Sequence, residues 1–257
     1  LIRDELNEEQ IMKYTEALYF FQPDPFYEGA INTASTHGKG YRKAQGANII
    51  DCSTTAVGLG ALRADNELVY LGIQASSQTF VIQEVEDSSK IAETGYKSGF
   101  YPDGSYLDHI SVPYLGAYGI EFMKGGVRIP ALIAGTPWKY SEEVQKNLEY
   151  YIVEGFGNGM YKGMMLDCLK GRSVSRPQGS NKAAGREAMV IILQMVDSLS
   201  DEAKAQTLSA LKCWLEEDPG FVESLKGAEN VPIKQKALEI LGDSSIESHV
   251  PAVHKSV

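Results

Sequence analysis

Apolar residues recur three or four positions apart over most of the chain, a spacing typical of amphipathic helices. In the first such stretch, Ile11, Tyr14 and Leu18 follow Asn7 and Gln10, which form a capping-box pattern. Helices are predicted over about residues 8–22, 51–63, 66–86, 117–134, 141–155, 159–169, 180–198, 201–217 and 232–241. Because alternating β patterns are nearly absent and most connections are short, the sequence predicts an all-α domain of antiparallel helices.

Three longer stretches lack this periodicity and are rich in Gly, Pro and Tyr. They cover residues 22–47, 95–116 and 170–180. Binding and catalytic groups tend to collect on surface loops that a rigid scaffold positions. We therefore expect the functional residues on or beside these three loops.

The composition is that of an ordinary globular protein. The 257 residues are 43% apolar and 23% charged, which fits one large domain or two small ones. No run of about 18 apolar residues is present, so the sequence excludes a transmembrane role. The three cysteines are widely spaced and form no C-x-x-C pair, so neither a disulfide framework nor a zinc site is expected.

Charge is distributed unevenly along the chain. The net charge of −10 argues against non-specific nucleic-acid binding, which needs a basic surface. However, no acidic residue lies between Glu28 and Asp51, or between Asp167 and Glu187. The basic residues of these two segments are Lys39, Arg42, Lys43, Lys170, Arg172, Arg176, Lys182 and Arg186. The pattern indicates either a local anion site or two solvated loops.

The segment 101–119 places His109 and several phenols, Tyr118 among them, around Gly104 and Pro113, which favour turns. Such a segment fits the wall of a cleft. Without further context, a structural histidine and a core tyrosine are the simpler interpretation.

The loop at residues 170–180 carries two arginines, and an amide follows the loop at residues 22–47. Arg172 and Arg176 are four residues apart and therefore share a face, while Pro177 disfavours a helix through Arg176. Two guanidinium groups on one face suit a carboxylate or a sulfate. Asn48 follows the first basic segment, and its uncharged amide can donate to a carboxylate.

In this order, the motifs G-A-N, D-G-S-Y-L-D-H, Y-L-G-A-Y-G and K-G-R-S-V-S-R resemble polysaccharide lyase family 8, the hyaluronate, chondroitin AC and xanthan lyases. The resemblance spans about residues 5–200 and is closest to the hyaluronate lyases around His109 and Tyr118. It implies an (α/α) toroid of antiparallel helical hairpins. It also implies four catalytic residues, Asn48, His109, Tyr118 and Arg172, with Arg176 as the second arginine of the last motif.

Some family features are changed or missing. Lys170 stands where the family has the first arginine of the last motif, and Ser88–Gly99 lengthens the path between Asn48 and His109. A tandem-tryptophan segment upstream and β-sandwich domains downstream are also absent. We therefore expect residues 1–257 to form one helical catalytic domain, an incomplete part of a toroid from a longer, secreted or cell-surface bacterial enzyme with β-rich domains downstream. Made alone, such a portion is expected to be destabilised, oligomeric or inactive.

The implied reaction is β-elimination at a 4-linked uronic acid, which gives a 4,5-unsaturated uronide. Because the C5 proton lies beside a carboxylate, Asn48 is expected to bind that carboxylate and stabilise the developing charge. Tyr118 is expected to act as base and then as acid. Since a phenol has an ordinary pKa of about 10, this requires positive charge from Arg172 and His109. His109 as base, with Tyr118 as acid only, is the alternative.

Arg176, Lys170 and Lys182 are expected to hold neighbouring sugars or their acidic groups. The expected partner is an acidic glycan of the hyaluronan or chondroitin type, without nucleic acid, membrane, metal or cofactor. A xanthan-type side-chain lyase and a non-catalytic glycan-binding module are alternatives. A hydrolase would need two carboxylates, for which Asp103 and Asp108 are the nearest pair.

Overall fold

The computed structural model describes residues 5–22, 24–28, 42–84, 97–109 and 111–251. The chain divides into two compact units, the first drawn from Leu1–Val81 and Lys124–Val144, and the second from Ile82–Met123 and Gln145–Val257. The helices are α1 Glu8–Phe21, α2 Gly46–Arg63, α3 Asn66–Ser77, α4 Ile120–Ile133, α5 Glu142–Tyr150, α6 Asn181–Met195, α7 Asp201–Glu217 and α8 Val231–Gly242. In the part of the chain that the structure describes, no helix is long and apolar enough to cross a membrane.

The first unit includes α1, α2 and α3, and α1 begins with the cap that the sequence predicts. Asn7 Oδ1 accepts from the Gln10 N–H at 2.9 Å, and Gln10 Oε1 accepts from the Asn7 N–H at 3.0 Å, so the capping box is present. The turn between α2 and α3 places Ala64 in the left-handed region, and Asp65 caps α3 by accepting from the Leu68 N–H at 3.0 Å. This short connection makes α2 and α3 a helical hairpin.

The start of α2 and the end of α3 differ from the predicted boundaries. α2 begins at Gly46, after the extended cap residue Gln45, instead of at residue 51. α3 ends at Ser77 instead of continuing to residue 86. Phe80 and Val81 lie outside the helix, and Ile82 forms a parallel bridge with Phe100.

The helix predicted over 159–169 was wrong. Met160–Tyr161 and Met164–Met165 pair as an antiparallel hairpin, and Lys162 and Gly163 between them have φ angles of 52° and 73°. Two successive positive φ angles define the turn that matches the twist of a hairpin. A 3₁₀-helix at Asp167–Leu169 follows, so the four-residue spacing of the apolar groups here belongs to a hairpin and a turn.

A small sheet in the second unit supports the loop that carries His109. It has three antiparallel strands, β3 Gly99–Phe100, β4 Tyr106–Asp108 and β5 Val112–Pro113, in the order β3-β4-β5. The preceding strands, β1 Tyr27–Glu28 and β2 Arg42–Lys43, pair with each other in the first unit. The buried side chains of the three-stranded sheet pack in an aromatic cluster, in which Phe100 stacks on Tyr151 with ring centroids 4.0 Å apart and meets Tyr106 edge-on at 5.1 Å. Burial of these rings fixes β4, and β4 leads directly to His109.

Asp218 ties α6 to the end of α7. Its carboxylate is 4% exposed, and Arg186 donates to both of its oxygens at 2.6 and 2.8 Å. Lys182 adds a third contact at 2.9 Å. Because Arg186 and then Lys182 stabilise the anion, the pKa of Asp218 falls to about 2.

We expect Asp218→Asn to lower the free energy of unfolding by about 2 kcal/mol at neutral pH. The folded pKa lies below the unfolded one, so the contribution is complete above about pH 4 and is lost as the pH falls toward 2. Chemical denaturation of the variant and the parent from pH 2 to pH 7 measures the difference. The exposed Glu223→Gln change is the control, and a pH-independent difference for Asp218→Asn would contradict the assignment.

Candidate active site

His109 directly follows β4 and lies in a turn. Its backbone adopts the left-handed conformation, with φ at 47°, and its N–H donates to Asp108 Oδ1 at 2.7 Å. The buried Tyr106 hydroxyl donates to the other carboxylate oxygen at 3.3 Å. Burial first and Asp108 second raise the pKa of Tyr106 well above its ordinary range, so this phenol stays protonated and acts as a donor. Asp108 therefore shapes the turn that presents the exposed imidazole.

Tyr118 lies on a π-helix, Leu115–Gly119, that leads into α4. The Tyr114 carbonyl anchors this wide turn, because it accepts hydrogen bonds from the N–H of Ala117 at 3.2 Å and of Gly119 at 3.0 Å. The turn packs closely because Gly116 has no side chain: a Cβ there would lie 2.6 Å from Met165 Cγ. Single π-turns of this kind are frequent at functional sites.

Three rings form a cluster of edge-to-face contacts beside this turn. The centroids of His109 and Tyr118 are 4.8 Å apart, those of Tyr114 and Tyr118 4.9 Å, and those of His109 and Tyr114 5.7 Å. His109 and Tyr118, nine residues apart in the sequence, are thus neighbours in space. This is the first pair of predicted site residues that the structure brings together.

Arg172 completes the group from a 3₁₀-helix, Gly171–Ser175. Its Nη2 donates to the Tyr118 hydroxyl oxygen at 3.0 Å, across 54 residues of sequence. A guanidinium donates a charge-assisted hydrogen bond in such a position. The arrangement therefore has the positive charge that a tyrosine base requires.

Arg172 and Arg176 border the same cavity, which has a volume of about 290 Å³. Its lining residues are Tyr114, Gly116, Ala117, Tyr118, Ile120, Glu121, Arg172, Ser173, Arg176, Gln178, Gly179, Ala184 and Glu187. The 3₁₀-helix ends at Ser175 and Arg176 is extended, as the following Pro177 predicts. The shared face of the two arginines thus opens on one concave surface.

Lys170 does not line this cavity. Its side chain is 2% exposed, and its ammonium donates to the Gly179 carbonyl at 2.8 Å, to the Asn181 side chain, and to Asp167 at 3.0 Å. Instead of reaching toward a ligand, Lys170 closes the loop that carries both arginines. Lys182 is also outside the lining, where it pairs with Asp218.

We expect Lys170→Met to lower the free energy of unfolding by about 2 kcal/mol, since it removes a buried ammonium that bonds to the partly buried Gly179 carbonyl and Asn181 side chain. Lys182→Met should cost much less, because that side chain is 52% exposed. Thermal melting of both variants compares them. Equal melting temperatures, with a weaker affinity for an anionic glycan in Lys170→Met alone, would instead make Lys170 a ligand contact.

Asn48 lies in the first turn of α2 and is exposed. It belongs to the first unit, whereas His109, Tyr118, Arg172 and Arg176 all belong to the second. The described group in the second unit is therefore a histidine, a tyrosine and two arginines. Asn48 stays a prediction that rests on its sequence motif.

Sequence reasoning missed one member of the group, Tyr114. Its hydroxyl oxygen accepts from the Arg172 backbone N–H at 3.0 Å, and its ring contacts both His109 and Tyr118. The available signal was the second tyrosine four residues before Tyr118. That spacing brings two side chains to one face of a helical turn.

Comparison with known proteins agrees with the motifs. Residues 1–213 match the family described as "Polysaccharide lyase family 8, N terminal alpha-helical domain". The chain belongs to polysaccharide lyase family 8. A hyaluronate lyase of Staphylococcus aureus is 30% identical over 87% of this chain and 26% of its own length. A xanthan lyase of a Bacillus species is 27% identical over 80% of this chain and 22% of its own length. The family 8 chain thus spans about a quarter of the length of these relatives.

Solved structures confirm the predicted fold class. A Paenibacillus xanthan lyase superposes with a TM-score of 0.78 at 22% identity, over 96% of this chain and 21% of the other. A Streptomyces coelicolor chondroitin AC lyase gives a TM-score of 0.76 at 19% identity, over 97% and 32%. The family 8 chain therefore has the helical fold of these α/α-toroid lyases. Its organisation as one catalytic domain stays a prediction.

Proposed function

We propose that this family 8 chain carries the catalytic surface of a lyase that cleaves a uronic-acid-containing glycan by β-elimination. The observation that carries the proposal is the 3.0 Å hydrogen bond from Arg172 to the Tyr118 hydroxyl, beside the His109 ring. This hydrogen bond joins Tyr118, the proposed proton-transfer group, to the positive charge of Arg172 at the wall of a cavity. Relatives named for hyaluronate and xanthan support an acidic polysaccharide as the substrate class.

In the proposed reaction, the Tyr118 phenolate takes the C5 proton of the uronic acid. The electron pair of that C–H bond forms the C4–C5 double bond as the C4–oxygen glycosidic bond breaks. The departing oxygen takes the proton back from the Tyr118 hydroxyl, so the phenolate is restored and the product is a 4,5-unsaturated uronide. Arg172 stabilises the phenolate before it takes the C5 proton and again after it has given the proton to the departing oxygen.

Two other residues have distinct proposed roles. Asn48 is the group proposed to bind the uronic acid carboxylate, on the strength of its motif. His109 contacts the Tyr118 ring and supplies a second polar group at the reacting carbon. Its use as the base, with Tyr118 as acid only, is the alternative mechanism.

Hydrolysis finds no support in the nearest pair of carboxylates. Asp103 accepts from the Ser105 N–H and hydroxyl at 3.0 and 2.6 Å, and Asp108 accepts from Tyr106 and from the His109 backbone. Both carboxylates thus shape local turns. Tyr118 and Arg172 instead have the chemistry that elimination requires.

The test is the ultraviolet absorbance of the 4,5-unsaturated uronide during incubation with hyaluronan, chondroitin or deacylated xanthan side chains. We expect a rising signal with hyaluronan or chondroitin. Cleavage without the chromophore would indicate a hydrolase, and binding without cleavage would indicate a glycan-binding module. Because such polymers are too large to enter a cell intact, we also propose a secreted or cell-surface location, which fractionation of the bacterial culture tests.

A further inference from the structure

Tyr114 is a buried phenol that directly precedes the π-helix, and it contacts His109, Tyr118 and Arg172. Its side chain is 2% exposed. Its hydroxyl oxygen accepts from the Arg172 N–H at 3.0 Å, over a separation of 58 residues. A side-chain acceptor for a backbone N–H in a 3₁₀-turn fixes the point from which the following side chain leaves the backbone.

Gly171 allows this contact. A Cβ at Gly171 would lie 2.5 Å from two carbons of the Tyr114 ring, and its φ of 48° is itself a conformation that favours glycine. The ring therefore occupies the space of the missing side chain. This close approach and the hydrogen bond to residue 172 together hold the start of the 3₁₀-helix against the phenol.

The same ring is in edge-to-face contact with Tyr118 at 82° and with His109 at 60°. The backbone carbonyl of Tyr114 accepts two hydrogen bonds from the turn that carries Tyr118. Tyr114 thus links the backbone of Arg172 to Tyr118, the proposed base, which the Arg172 side chain contacts. The Arg172 side chain is exposed, so its position depends on where its backbone is held.

We propose that Tyr114 is a positioning residue for the elimination, whose hydroxyl holds Arg172 in place to donate to Tyr118. This inference rests on the proposed function. A displacement of about 1 Å of a charged group at a reacting centre costs up to about 100-fold in rate. Loss of one anchoring hydrogen bond should therefore lower turnover, while the binding of the polymer stays nearly unchanged.

The test is a double-mutant cycle with Tyr114→Phe and Arg172→Ala. Tyr114→Phe keeps the ring and removes the acceptor, and we expect kcat to fall about tenfold with KM within about twofold. In the Arg172→Ala background the same change should alter kcat by less than about 1.5-fold, because there is no guanidinium left to position. An equal fall of kcat in both backgrounds would overturn the proposal, as would wild-type turnover in Tyr114→Phe.

The matched control is Tyr140→Phe. Tyr140 is also a buried tyrosine, 5% exposed, and its hydroxyl hydrogen-bonds to Ser76 Oγ at 2.8 Å in the first unit. Tyr140→Phe should lower the melting temperature by a similar amount and leave kcat unchanged. A fall of kcat in Tyr140→Phe that matches the one in Tyr114→Phe would reduce the role of Tyr114 to general stability.

A second readout does not depend on turnover. The side-chain nitrogen resonances of Arg172 in ¹⁵N-labelled protein report whether its guanidinium is hydrogen-bonded. In Tyr114→Phe we expect these resonances to move to the positions of a free arginine, and unchanged resonances would overturn the proposal. If the parent protein produces no unsaturated uronide, the proposed function fails, whereas this measurement still decides whether Tyr114 positions Arg172.

Discussion

Replacing Tyr118 with phenylalanine is expected to lower the turnover of elimination by at least about 100-fold, the usual contribution of a proton-transfer group. The change removes one hydroxyl oxygen, the acceptor of the 3.0 Å hydrogen bond from Arg172. The ring and its edge-to-face contacts with His109 and Tyr114 are kept. The rate of formation of the unsaturated uronide measures the effect.

The fold should tolerate this substitution. The Tyr118 side chain is partly exposed, and in the described residues its hydroxyl bonds only to the exposed Arg172. Helical circular dichroism and melting temperature should therefore stay close to those of the parent. Tyr161→Phe, at a tyrosine that is 46% exposed on the hairpin, is the control. More than about a tenth of parental turnover in Tyr118→Phe would exclude Tyr118 from proton transfer.

A second substrate separates the two proton-transfer mechanisms. If Tyr118 is base and acid, Tyr118→Phe stays inactive on a uronide whose C4 substituent is an aryloxide, which leaves without being protonated. If His109 is the base and Tyr118 only the acid, this substrate restores turnover to the variant. His109→Gln on the same substrate gives the reciprocal result. The pair of variants thus assigns the base without reference to a pH profile.

Helices with a regular apolar stripe were predictable from the sequence. The predicted segment 8–22 corresponds to α1 at Glu8–Phe21, and 201–217 coincides with α7. In α1, Asn7 supplies the start signal locally and Pro23 follows the end. These features depend on neighbouring residues alone, so no tertiary contact is needed to predict them.

Conformations that depend on left-handed residues were not predictable in the same way. Lys162 and Gly163 turn the chain into a hairpin, and the apolar methionines on either side fit a helix equally well by spacing. Gly116 likewise lets the π-turn pack against Met165, where a Cβ would lie 2.6 Å from Met165 Cγ. Such packing between distant segments leaves no local periodicity in the sequence.

In the candidate site, too, some residues were predictable from the sequence and others depend on tertiary packing. His109, Tyr118 and Arg172 came from motifs, and the structure brings these three together. Lys170 looked like one more cation of a basic loop, but burial against Asp167 and two further acceptors gives it a structural role. Charge counted along a sequence does not distinguish a buried, paired ammonium from one that faces a ligand.

The two arginines at the cavity are expected to respond differently to truncation. Arg172 donates to Tyr118, so Arg172→Ala removes an interaction that stabilises the phenolate, and kcat should fall about 100-fold while KM rises. Arg176 borders the cavity without a hydrogen bond to Tyr118, so Arg176→Ala should raise KM about tenfold and leave kcat within about twofold. Initial rates over a range of hyaluronan concentrations separate the two parameters.

Lysine substitutions at residues 172 and 176 separate the effect of positive charge from the effect of the planar guanidinium. Arg176→Lys keeps a point charge for ground-state binding and should recover most of the lost KM, whereas Arg172→Lys loses the planar fork that reaches the phenol oxygen and should recover little kcat. Lys182→Met is the control for loss of positive charge outside the cavity, since that lysine pairs with Asp218. If both alanine variants change KM alone and by equal factors, both arginines act as substrate clamps, and the stabilising charge for the Tyr118 phenolate must come from another group.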